Sequence, residues 1–332
     1  MDDGSHGTLH FRLAVVLLSK KTKTRSNTME VYTKINTMYK RYQKIGKGAE
    51  IPEKYRKMQN LIILGQFSDP EIEYLFDNKF EAFAKIDGTN SKICFWPSTG
   101  NIQVGGKTDK ASSQHGQFEF LQAIADRIVD KLKVMYPSEN ARFVPIAEEW
   151  YKPDGLFTQM TSDEFKTAIK NGQRNFGVKM AEVPVYIYGE YYGEGIQKGG
   201  GYCKGNRFDV FDIQQQGWWI PSDMRHEICK SLELDEVPFL GVMTLREIEE
   251  KVRAGFKTTV HDPNDPDTME EGIVARPIVP LKSGRGNRII VKVKSCDYIA
   301  YDNARKEFTD EEFEEFQKWY ADYEASLETQ AS

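Results

Sequence analysis

The stretch that most constrains this chain is residues 82–95, A-F-A-K-I-D-G-T-N-S-K-I-C-F. Ala84 and Ile86 alternate on one side of Lys85, and Ile93 and Phe95 alternate beyond a break at Asp87, Gly88, Thr89 and Asn90. This spacing predicts two short strands joined as a hairpin through a polar turn, with Lys85 held on rigid backbone. A lysine amine becomes a nucleophile when burial or a second cation lowers its pKa, and it can then attack a carbonyl or a phosphorus. Taken alone, K-x-D-G reads more readily as a solvated lysine beside a turn, since short motifs match by accident.

Later segments supply what the first lacks. Gly189-Glu190 follows an apolar run at residues 185–188, and Arg207-Phe208-Asp209-Val210-Phe211-Asp212 reads as a strand ending in an acid. Glu271-Gly272-Ile273-Val274 places a carboxylate before a strand. Val291-Lys292-Val293-Lys294 puts two lysines on one strand face, since side chains two apart point the same way.

In this order the five segments resemble the motifs of the covalent nucleotidyltransferases, the superfamily of RNA ligases, DNA ligases and mRNA capping enzymes. With Gly105-Gly106-Lys107 and the glycine-rich run at 193–201, the wording is most similar to phage-type RNA ligases. The resemblance implies an α+β adenylation domain of antiparallel sheets with flanking helices around an ATP cleft. It implies that Lys85 takes AMP as a phosphoramide and that Lys292 and Lys294 lower its pKa and neutralise the α-phosphate. Asp87, Gly88, Asn90, Lys107 and Glu190 would contact the nucleotide, and the Phe208 ring would lie against adenine. Glu271 would hold Mg2+, with Glu190 on the metal or the ribose. The expected substrates are RNA ends, a 5′-phosphate and a 3′-hydroxyl. A DNA ligase or GTP-using capping enzyme is the near rival, although only 38 residues follow Lys294 and an OB-fold needs more. A non-catalytic nucleic-acid-binding protein is the distant rival.

Composition limits the remaining classes. With 39% hydrophobic and 29% charged residues over 332, the chain is expected to bury a proper core. The apolar run at 13–18 is too short to span a membrane, so no membrane partner and a cytoplasmic location are expected. Four widely spaced cysteines predict neither a disulfide framework nor a zinc site. The net charge of −5 conceals a division: residues 297–332 carry −8 and the rest +3, which leaves room for a basic surface facing a polyanion. Three units are expected: a mobile basic extension over 1–28, a nucleotidyltransferase domain over 29–294 and an acidic helical tail over 295–332, with Phe308, Phe313, Phe316, Trp319 and Tyr323 as its apolar stripe.

Overall fold

The computed structural model describes residues 32–43, 51–107, 116–151, 159–171, 177–197, 202–215, 217–260 and 267–331. The basic extension over 1–28 and Lys198 of the glycine-rich run lie outside the described residues.

Two five-stranded sheets carry the fold. The first runs Asn36–Thr37, Val291–Lys294, Gly272–Pro277, Lys79–Ala84, Phe239–Thr244, antiparallel except for its first pair. The second runs Trp218–Trp219, Asn206–Gln215, Val185–Gly193, Thr89–Trp96, Asn101–Gly106 and is antiparallel throughout. Each is backed by helices whose apolar residues recur at helical spacing. Leu245, Ile248 and Val252 of the helix Leu245–Ala254 pack on Phe80, Ala82, Ile273 and Val291 of the first sheet. A capping box between Thr244 and Glu247 fixes where that helix begins. Leu121, Ala125, Ile128 and Leu132 of Gln117–Met135 cover Ile93, Val104, Ile187 and Val210 of the second. Each such fully buried Leu, Ile or Val side chain contributes about 1.5–3 kcal/mol.

The expected hairpin is not formed. Lys79–Ala84 belongs to the first sheet and Thr89–Trp96 to the second, so residues 85–88 cross between them. Both edges of the first strand are already occupied, by Gly272–Pro277 and Phe239–Thr244, and it cannot also pair with its own successor. Lys85 therefore stands where the chain leaves one sheet for the other.

The acid-rich segment forms two helices, Ser295–Glu307 and Asp310–Ala331, where one was expected. Thr309 and Glu312 exchange capping hydrogen bonds, which restarts the helix after Phe308. Phe313, Phe316 and Tyr320 are buried against Tyr42, Tyr55 and Met58, so this segment packs on the N-terminal part of the chain. Among the described residues, no helix is long and apolar enough to cross a membrane.

Candidate active site

The sheet crossing fixes the position of the lysine. The Lys85 backbone N–H donates to the Gly272 carbonyl at 3.0 Å, tying the exit of its strand to the E-G-I-V segment. Thr89, Asn90 and Ser91 then pair with Tyr191, Glu190 and Gly189. Glycine is needed at both junctions. A Cβ on Gly88 would lie 2.6 Å from the Tyr191 carbonyl oxygen and 2.9 Å from Glu190 Cγ. One on Gly272 would collide with the backbone of Val293.

Between the sheets lies a cavity of about 400 Å³, within the usual range for a small-molecule site. Of the sequence-predicted residues, it brings together Lys85, Gly88, Asn90, Lys107, Glu190 and Lys292. Glu271 and Lys294 stand beside the nucleophile rather than on the cavity wall: Lys85 and Lys294 both pair with the Glu271 carboxylate, the latter at 2.7 Å. Asp87 is not on the cavity wall, although its charge acts on Glu190, and its backbone N–H donates to the Tyr202 hydroxyl at 3.4 Å. Asn90 lines the cavity, and among the described residues its Oδ1 is buried without a hydrogen-bond partner.

The charges are uneven. Burial pushes the Glu190 carboxyl up to about 8, and the like charges of Glu271 and Asp87 add to this against the pull of Lys85. Burial also lowers Lys292, helped by Lys85 and Lys294, so part of its charge is disfavoured until an anion arrives. Lys294 is raised: burial works against its charge, but the bond to Glu271 prevails. Among the described residues no three His, Cys, Asp or Glu side chains converge as a metal cage. Even so, the donors fit magnesium. They are oxygens, Glu190 is short of positive charge, and this metal is commonly held by one or two carboxylates together with nucleotide phosphates and water.

Phe208 does not face the cavity. Its ring lies across Gly189, where a Cβ would meet Phe208 Cε2 at 2.5 Å, and it is buried among Ile93, Tyr191 and Val210. The cavity aromatic from this strand is Phe211. The cause is a register shift: Tyr188 pairs with Asp212 and Gly189 with Val210, so Phe211 is the extra residue of a bulge. Bulges re-aim side chains and break the strict alternation of a strand. Phe208, Val210 and Ile213 consequently share one core.

Sequence reasoning also missed the wall formed by residues 32–35, which carry Tyr32 and Lys34 to the cavity. No motif marks that segment, although Lys34 is one of the cations acting on Lys292. Arg276 on Gly272–Pro277 was missed as well. It donates to Asp212 at 2.7 Å and its guanidinium lies 4.4 Å from the Phe83 ring centroid. Asp212 further accepts from Arg288 at 2.8 and 3.2 Å and from the Tyr32 hydroxyl at 2.6 Å.

An amine, paired lysines and carboxylates are thus gathered between the two sheets. The family model described as RNA ligase matches residues 78–294, and the chain belongs to that family. Its structure is similar to that of the Naegleria gruberi RNA ligase with PPi, at 18% identity over 71% of this chain and 55% of that one, TM-score 0.40. A variant of the same ligase with AMP and Mn gives 16% identity, 82% and 64% coverage, TM-score 0.43. Another, with ATP and Mn, gives 18%, 70% and 54%, TM-score 0.40. The chain thus spans 54–64% of those proteins' length. No curated protein matched.

Proposed function

We propose that this chain is an ATP-dependent RNA ligase that joins 5′-phosphate and 3′-hydroxyl ends through a lysyl-AMP at Lys85 and an RNA-adenylate. The observation that carries this reading is the position of the Lys85 amine on a nucleotide-sized cavity beside Lys292 and Glu190. In the first step the neutral Lys85 amine forms a bond from Nζ to the α-phosphorus of ATP. The bond to pyrophosphate breaks and the amine gives up its proton. Glu271 bridges Lys85 and Lys294, so it orients the amine and is the nearest base for that proton. Lys292 loses least by keeping its charge once the α-phosphate lies against it, so its stabilisation grows as negative charge develops there. Phe211 offers the base an aromatic face, Asn90 an acceptor to a ribose hydroxyl and Lys107 a charge to phosphate. Magnesium, held by Glu190 and by a Glu271 oxygen released from its lysine, would supply positive charge to the triphosphate. The 5′-phosphate of RNA then displaces Lys85 from AMP, and a 3′-hydroxyl displaces AMP from that phosphate to seal the strand.

Transfer of label from α-labelled ATP to the protein, with Lys85→Ala and with GTP in parallel, tests the reading. An acid-labile, alkali-stable adduct from ATP, absent in the variant, is expected. Adduct formation by Lys85→Ala, or no adduct in the wild type with any nucleotide and metal, would overturn it. Sealing of nicked RNA and DNA by the wild type then separates RNA ligase from DNA ligase.

A further inference from the structure

The aromatic face of the cavity stands at the one place in its strand where pairing slips. Phe211 is the extra residue between the pairs Tyr188–Asp212 and Gly189–Val210, so the ladder does not fix where its side chain points. Its backbone is held, because the Phe211 carbonyl accepts from Arg225 Nη1 at 3.1 Å and from Arg276 Nη2 at 3.4 Å. The side chain is half-buried and lines the cavity, so whatever steadies the ring must reach it from the side away from a ligand.

Tyr32 reaches it. The Tyr32 and Phe211 ring centroids are 5.1 Å apart with the planes at 70°, the edge-to-face arrangement that aromatic quadrupoles favour. Tyr32 is itself fixed: it is buried, its hydroxyl donates to Asp212 at 2.6 Å, and its ring lies 5.0 Å from that of Tyr188 and edge-on to Trp219 at 5.6 Å. Trp219 in turn lies 4.1 Å from the Arg288 guanidinium, which Asp212 also holds. Swinging the Tyr32 ring out would break a buried hydrogen bond and vacate packed space. The brace comes from outside the residues that match the family, 78–294. Just beyond it Asn36–Thr37 pairs with Val291 and Lys292, so one segment both carries Tyr32 and docks on the strand of Lys292.

We propose that Tyr32 is a positioning residue of the nucleotide site: it holds the Phe211 ring at the angle that receives the base, which makes the segment 32–37 a working part of the cleft. The proposal rests on the ligase reading for the identity of the nucleotide as ATP. A ring already in place spares the ligand the cost of ordering it. The brace therefore acts on affinity for the nucleotide and not on the chemistry at Lys85.

The test is calorimetric binding of ATP to the full chain in EDTA, with lysyl-AMP formation followed at varied ATP in magnesium. Tyr32→Leu keeps apolar bulk and removes the ring. It is expected to bind ATP about 5-fold more weakly, the scale of one aromatic pair, and to show that loss in KM rather than kcat. Tyr32→Met gives the same comparison if the leucine variant does not fold. Tyr32→Phe returns the ring without the hydroxyl and is expected to rescue ATP affinity, although its melting temperature falls because Asp212 loses a donor. In a Phe211→Leu background, Tyr32→Leu is expected to add nothing, since its effect passes through a ring already removed. Wild-type affinity in Tyr32→Leu, or affinities of the Tyr32 variants that merely follow their melting temperatures, would overturn the proposal. So would a full further loss in the Phe211→Leu background, which would make Tyr32 a direct contact. A wild type that binds ATP with this pattern of variants but forms no lysyl-AMP would refute the ligase reading and leave the brace standing. One that binds no ATP would refute both.

Discussion

Glu190 and Asp212 sit on neighbouring strands of one sheet and line the same cavity, yet their surroundings are opposite. Asp212 is 1% exposed and receives two arginines and a tyrosine; burial would raise its pKa, but Arg276 and Arg288 hold it below the ordinary range. Glu190 has burial and two like charges, opposed only by the Lys85 charge and a hydrogen bond from the Gly88 backbone among its main influences, and is pushed up to about 8. A carboxylate surrounded by donors is finished and serves the architecture. One left short of positive charge is unfinished, and a ligand or metal completes it. The contrast separates groups that hold the cleft from groups that act in it.

The sharpest test removes the amine that Glu190 faces. Lys85→Ala should abolish the nucleotide adduct outright, read by label transfer, while the fold persists by circular dichroism. Next in size, Asp212→Ala should cost about 3–5 kcal/mol in denaturant unfolding, because it strands Arg276 and Arg288. Its pH signature has a definite sign. A depressed carboxylate contributes stability above its unfolded pKa and loses it as pH falls through the folded one, so Asp212→Asn should flatten the acid limb of stability against pH. Glu190→Gln should behave oppositely, slowing adenylation by about 100-fold without destabilising the protein. In metal-free buffer the wild type should lose stability as pH rises from about 4.5 to about 8, and this variant should remove that decline. The smallest effect tests the bulge. Phe211→Ala should weaken ATP binding about tenfold, the scale of one base-stacking contact. Phe208→Leu should leave ATP affinity unchanged and cost about 1 kcal/mol of stability. Equal effects of the two on affinity would discard the assignment of Phe211 to the cavity.

Much of the site was legible because its residues come as short motifs on strands. Lys85, Glu190 and Lys292 needed only chain order to be grouped, and their types to be given chemistry. What was hidden depends on pairing between distant segments. Period-two alternation cannot reveal a bulge opposite Tyr188 and Gly189, so Phe208 and Phe211 exchanged places. Nor can local spacing tell a hairpin from a crossing between sheets, since that turns on strands near residues 240 and 275. Tyr32 and Lys34 carry no motif, and only the fold brings them to the wall. The stripe in the acidic segment was visible, but its partners Tyr42 and Tyr55 lie more than 250 positions earlier.

The first sheet draws its strands from both ends of the chain: Asn36–Thr37 pairs with Val291–Lys294, and Lys79–Ala84 lies between Gly272–Pro277 and Phe239–Thr244. On the ribosome, this sheet cannot close until the segment ending at Lys294 has left the exit tunnel. At about 5–20 residues per second, Lys85 waits on the order of ten seconds or more for its partners. Contacts of such long separation also make folding slow. A chain stalled before Lys294 therefore carries Lys85 without the strand that brings Lys292 to the cavity wall.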